Sequence, residues 1–201
     1  NSIKASAIRE LLKVISRPEV ISLAGGLPDP TLFPIEAVAK SMQEALATSA
    51  REALQYGTTE GQAGLKRELI KLLKETEDID ATAEQLLVVS ASQQGLDMTS
   101  RIFLNRGDAI VTSSPTYLGA LQAFEASGAD VYGADSDEQG VVPAAIEKRL
   151  QELQEAGRPC KFIYLVPDFQ NPNGLTIPES RRVEILKLAE NTKIHLNKEV
   201  S

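Results

Sequence analysis

Short apolar runs alternate with longer stretches of helical periodicity along most of this chain, and that alternation limits the fold more than any other feature. Leu86–Ser90, Ala109–Thr112, Asp130–Gly133 and Phe162–Val166 read as strands, short and apolar enough to lie inside a sheet. The segments between and after them carry helical spacing: Ser92–Leu104, Tyr117–Ala126, Pro143–Gln154 and Pro178–Ala189. The last two open on proline, which suits the first turn of a helix because its missing N–H is not needed there. Three more helices precede this series. Ile8, Leu11, Leu12 and Ile15 mark one that Pro18 stops; Ile35–Ala50 places Val38, Met42, Ala45 and Leu46 on one face; Leu65–Lys74 carries Leu65, Leu69, Leu72 and Leu73. Strands separated by helices imply crossover connections and an α/β fold with a mainly parallel sheet. Ligands of such sheets collect at the carboxyl ends of the strands.

Composition narrows the function. Lys and Arg total 21 against 28 Asp and Glu, a formal charge of −7 with no basic cluster, so nucleic acid and anionic membrane are poor partners. The single cysteine, Cys160, excludes an internal disulfide framework and points to a reducing, cytoplasmic compartment. The single histidine, His195, leaves little material for a histidine metal site or a Ser-His-Asp triad. Neither residue is assigned a role beyond packing. Lys4, Arg9, Glu10 and Lys13 make the start unlike a signal peptide, and no apolar run approaches a membrane span.

Several loops at the expected strand ends carry polar groups. Ser90-Ala91-Ser92-Gln93-Gln94 joins a strand to a helix, where first-turn N–H groups and the helix dipole attract an anion. A plain serine N-cap explains the same residues. Gln170-Asn171-Pro172-Asn173-Gly174 follows the Phe162–Val166 strand as a tight turn that offers an amide to a ligand, or serves only as a turn. Ser22–Pro28 holds Gly25 and Gly26, which let a ligand come close to the backbone or simply form a connector. Tyr117 and Tyr56 sit in loops where a ring can stack on a planar group, or pack as any tyrosine does. No dinucleotide fingerprint or phosphate-loop motif is present.

Taken together, these segments resemble the fold-type I pyridoxal-phosphate aminotransferases, and most of all their aminoadipate/kynurenine-type subgroup. The resemblance rests on Ser6–Glu10, Ile21–Pro28, Phe33-Pro34, Leu54–Gly57, Ser92–Gln94, Pro115–Tyr117 and Gln170–Gly174, in matching order and spacing from Ser6 to about Glu190. It implies a three-layer large domain, here incomplete, with an N-terminal arm or small-lobe segment. Residues 1–34 would form the arm and the glycine-rich pocket segment, 35–190 the partial cofactor-binding domain, and 191–201 a tail foreign to the family. It also implies residue roles. Ser92 and Gln93 hold the cofactor phosphate, Tyr117 stacks on the pyridine ring, and Asn171 bonds the ring's phenolic oxygen. Tyr56 reaches the phosphate held by the partner subunit of a homodimer. Gly26 lines the substrate pocket, and Arg9 offers charge to a substrate carboxylate. Asn173 stands where the family more often has threonine.

The same resemblance identifies what the sequence lacks. The family's Schiff-base lysine lies well beyond the Asn-Pro-x-Gly turn, and here only residues 175–201 follow it. Asn191–Asn197 does not read as the apolar strand, ended by an acid, that the family carries next. The chain thus looks like the N-terminal half of an enzyme that moves an amino group from an amino acid to a 2-oxo acid, and by itself is expected to be inactive and prone to associate. A different pyridoxal-phosphate reaction, such as that of a C–S lyase, and a non-catalytic domain of a regulator are the alternatives.

Overall fold

The structure, a computed structural model, describes residues 28–192 together with the backbone of 195–198. The helix expected around Ile8–Ile15, Arg9 and Gly26 lie outside the described residues. Contacts divide the chain into one unit over Leu27–Ser90 and another that includes Ala91–Ser201.

In the second unit, a helix α3 (Ala91–Phe103) leads into strand β1 (Ala109–Ser114), then α4 (Leu118–Ala126), β2 (Asp130–Asp137), β3 (Gly140–Val141), α5 (Pro143–Glu155), β4 (Cys160–Leu165), α6 (Glu179–Thr192) and β5 (His195–Lys198). The five strands form one sheet in the order β3-β2-β1-β4-β5. β1 pairs in parallel with both β2 and β4, and β4 with β5; only the β2–β3 hairpin is antiparallel. The mainly parallel α/β sheet expected from the alternation is therefore present.

Side-chain alternation explains the layers. Successive residues of a strand face opposite sides, so a strand apolar at every position needs cover on both. In β1 and β4, Val111, Ile163 and Leu165 join Ile146, Leu150 and Ile185 of α5 and α6 on one side. Ile110, Phe162 and Tyr164 join Leu96 of α3 and Ala120 and Phe124 of α4 on the other. The Phe124 ring meets Phe162 and Tyr164 edge-on, with centroids 5.6 and 5.2 Å apart.

Three expectations change. Leu86–Ser90 forms no strand: a strand needs a partner, and none of the five sheet strands pairs with it. Instead Val88 donates its N–H to the Glu60 carbonyl within its own unit, and Leu87 stays 47% exposed. β2 runs four residues past Gly133, because the turn at Glu138-Gln139 folds β3 back on it despite the polar sequence. Finally, the charged stretch after Glu190 contributes β5, paired with β4 from Phe162↔His195 to Leu165↔Lys198.

From Gly133 to Asp137 the outer side of β2 is occupied. Arg149 Nε donates to the Gly133 carbonyl, the Val142 N–H to the Asp135 carbonyl, and β3 covers Ser136 and Asp137. Arg181 of α6 braces the hairpin, donating to Asp137 Oδ1 at 2.7 Å and to the Gly140 carbonyl at 3.0 Å.

Among its described residues the Leu27–Ser90 unit holds two α-helices, α1 (Ile35–Ala53) and α2 (Ala63–Glu77). Helix α2 starts at a Gln62 side chain that accepts the Leu65 N–H. The apolar face expected on α1 exists, and it is open: Val38, Met42 and Leu46 are 52%, 62% and 49% exposed.

Candidate functional site

β1 and β4 are parallel neighbours, so the loops that leave their carboxyl ends emerge side by side. After β1 come Pro115, Thr116 and Tyr117, the last capping α4. After β4 comes the Asn171–Gly174 turn. Its ring of bonds is complete: the Gly174 N–H donates to the Gln170 carbonyl at 2.5 Å and the Gln170 N–H to the Leu175 carbonyl at 2.9 Å. Asn173 serves the turn as its usual alternative would, accepting the Leu175 N–H at 3.0 Å through Oδ1. Gly174 supplies the left-handed residue at φ 71°.

The two loops are fastened together. Gln170 is 2% exposed and donates its amide to Ser113 Oγ at 2.6 Å and to the Pro115 carbonyl at 2.7 Å. A third segment joins them from α3, where Gln93 Nε2 donates to the Gly119 carbonyl at 3.3 Å. That bond ties the first turn of α3 to the first turn of α4. Ser92, Gln93, Tyr117 and Asn171 thus belong to segments at one edge of the sheet. Ser92 and Asn171 are exposed, and among the described residues neither side chain bonds another.

The Tyr117 ring folds back over Gly119. A Cβ added at Gly119 would stand 2.5 Å from Tyr117 Cζ and 2.6 Å from its hydroxyl, so glycine makes room for the ring. Ala91, the first residue of α3, has φ 62°, a left-handed conformation that costs an alanine roughly 1 kcal/mol. Strain of this kind collects where a segment is held in place for function.

Tyr56 belongs to the Leu27–Ser90 unit and is 98% exposed. Arg9 and Gly26 fall outside the described residues. In the sequence, Gln170 and Ala91 fall inside the loop segments singled out but carry no role there, and Gly119 falls in none of them. A buried polar residue between a buried strand and a turn was the available signal for Gln170; nothing in the sequence marked the other two.

The donors fit the phosphorylated pyridine that the resemblance implies. A helix start bearing a hydroxyl and an amide suits phosphate, a tyrosine ring suits a planar heterocycle, and an uncommitted amide suits a phenolic oxygen. Two buried polar atoms at the same strand ends, Thr116 Oγ1 and Gln170 Oε1, have no partner, which is unusual for atoms so placed. Cys160 stands at the opposite end of β4, where burial raises its thiol to about 11 and leaves it neutral, consistent with packing. Among the described residues there is no group of His, Cys, Asp and Glu able to hold a metal, and no helix long and apolar enough to cross a membrane.

Comparison with known proteins gives the same direction. The family model described as "Aminotransferase class I and II" matches residues 18–197. An aromatic-amino-acid aminotransferase of Thermococcus litoralis is 45% identical over 186 residues, covering 92% of this chain and 45% of the relative. A kynurenine aminotransferase of Pyrococcus horikoshii superposes with a TM-score of 0.92 at 40% identity, over 99% of this chain and 49% of its own. An α-aminoadipate aminotransferase of Thermus thermophilus, solved with N-(5'-phosphopyridoxyl)-L-leucine, superposes at 0.83 with 34% identity, over 98% and 46%. The chain spans about half the length of the curated relatives it matches.

Proposed function

The chain belongs to the class I and II aminotransferases, and on that premise we propose that its strand-end loops form the phosphate- and ring-holding part of a pyridoxal-phosphate site. The complete protein would move an amino group from an amino acid to a 2-oxo acid. When bound, the cofactor supplies the electron sink for chemistry at the substrate's α-carbon. The residues of this chain bind and orient it. Ser92 and Gln93 hold the phosphate at the start of α3, Tyr117 lies against the ring, and the Asn171 amide donates to the phenolic oxygen. The observation that carries this reading is the bond from Gln93 to Gly119, which joins the phosphate-holding turn to the ring-facing loop.

The subunit arrangement follows from the same reading. Tyr56, almost fully exposed, would reach the phosphate of a second copy, making the complete protein a homodimer with shared sites. Gly26 would line the substrate pocket, and Arg9 would face a substrate carboxylate. With one cysteine, carrying a neutral thiol, the protein suits a cytoplasmic setting. The 201 residues by themselves are expected not to transaminate, since no lysine follows the turn at the family's spacing.

Calorimetric titration with pyridoxal phosphate tests the reading. Binding is expected, with Ser92→Ala and Asn171→Ala each weakening it by about tenfold, the value of one lost hydrogen bond to a charged or polar group. No binding, or wild-type affinity in both variants, would overturn it. Sustained turnover of amino acid and 2-oxo acid by these residues alone would overturn the expectation of inactivity.

A further inference from the structure

One buried side chain beside this site has no role in the turn motif or in the family resemblance. Gln170 spends every backbone group inside its own turn: its N–H goes to Leu175 and its carbonyl takes the Gly174 N–H. Its side chain reaches in another direction. The amide nitrogen crosses 57 positions of sequence to Ser113 Oγ and lies 2.7 Å from the Pro115 carbonyl. A carbonyl can only accept, so the nitrogen must face Pro115, and the orientation of the amide is determined by chemistry. Both amide hydrogens are then committed in a place where Gln170 is 2% exposed, and a buried bond of this kind is costly to leave unmade. On one side of the clip the next residue is Asn171. On the other, Tyr117 follows Pro115 by two positions.

We propose that Gln170 is a positioning residue: it locks the Asn171 turn to the Tyr117 loop, and so sets the angle at which the two ring-facing groups meet a bound cofactor. The proposal rests on the pyridoxal-phosphate reading above. It predicts a selective effect, because Ser92 and Gln93 belong to α3, whose own tie to the loop runs from Gln93 to Gly119 and not through Gln170. Loosening Gln170 should impair recognition of the ring and spare recognition of the phosphate.

The test compares pyridoxal phosphate, followed by calorimetry, with inorganic phosphate, followed by phosphorus NMR, on the whole chain. Gln170→Leu should weaken pyridoxal phosphate by about tenfold or more and inorganic phosphate by less than about twofold. Gln170→Glu adds a pH signature. At neutral pH its carboxylate faces the Pro115 carbonyl, acceptor against acceptor, and the clip opens. Acidification restores a proton to donate, so its affinity relative to the wild type at each pH should rise as pH falls through the glutamic acid range. If Gln170→Leu does not fold, Ser113→Ala, which deletes one acceptor, should give the same pattern at about two- to fivefold. Affinity for pyridoxal phosphate within about twofold of wild type in these variants overturns the positioning role. So does parallel weakening of both ligands with a lowered melting temperature, which is what a purely structural residue would give. A wild-type chain that binds neither ligand overturns the functional reading and this role with it; wild-type binding with silent variants overturns this role alone.

Discussion

Among the described residues, the sheet-bearing unit buries apolar side chains on both sides of β1 and β4, whereas residues 28–90 bury one side chain, that of Lys66. Both regions carry clean apolar periodicity. The difference lies in what each periodic face meets. Phe124 of α4 has a strand face to cover, with Phe162 and Tyr164 against its ring. Met42 of α1 repeats at the same helical spacing and is 62% exposed. Periodicity therefore reports which face of an element seeks cover and says nothing of the partner that provides it.

The largest expected effect breaks the buried side of this contrast. Phe124→Ala should cost about 3–5 kcal/mol in urea unfolding, from lost burial and the cavity left behind. A loss under about 1 kcal/mol would mean that the two-sided core is loose in solution. Next comes Gly119→Ala. The atoms nearest the added methyl belong to the far end of the Tyr117 side chain, so the ring should swing away at little cost to stability. Affinity for pyridoxal phosphate should fall by about tenfold, and unchanged affinity would detach Tyr117 from the site.

Acid sharpens the comparison further, because the hairpin of the sheet-bearing unit has a titrating brace. The Arg181 guanidinium, first among the causes, holds the Asp137 carboxyl below its ordinary value. A depressed carboxyl contributes its stability in full above the unfolded value, about pH 4, and loses it as pH falls through the folded value. Arg181→Ala should lower the urea midpoint at pH 7, and the gap from wild type should close below about pH 4. A gap independent of pH would remove the ion pair as its source.

Ala91→Gly, at the junction of the two units in sequence, should be smaller still. Relief of a left-handed alanine outweighs the entropy of glycine by at most about 1 kcal/mol, seen as a slightly higher midpoint. The smallest effect belongs to Met42→Ala, expected within about 0.5 kcal/mol as for an exposed position. A loss above about 1.5 kcal/mol would show that the α1 face is covered in solution, and the contrast between the regions would then vanish.

Legibility in the sequence followed the same division. β1, β4 and the helices that cover them were readable, because the apolar runs Ala109–Val111 and Phe162–Val166 and the helix starts at Pro143 and Pro178 leave strong local marks. Leu86–Ser90 looked like them and is not a strand, since pairing is a property of two segments and only one was in view. The far end of β2 was hidden by Asp135, Ser136 and Asp137, whose polarity reads as loop until the hairpin turn is known. β5 was hidden by charge in the same way. In the site, the loops after expected strands brought Ser92, Gln93, Tyr117 and Asn171 to notice, Ser92 and Gln93 from behind a strand that does not form. The clip made by Gln170 was invisible, because its partners Ser113 and Pro115 lie far off in sequence and meet it only once the sheet has formed.

The plugging of β2 has a consequence for association. Exposed strand edges recruit other chains through unmatched backbone groups. Along the second half of β2 the outward carbonyls of Gly133 and Asp135 are already taken, and a two-residue strand pairs with Ser136 and Asp137. A foreign strand arriving at this flank would have to evict a guanidinium and peel off a hairpin before it could dock. Fibril-like stacking should not begin here even in concentrated solution.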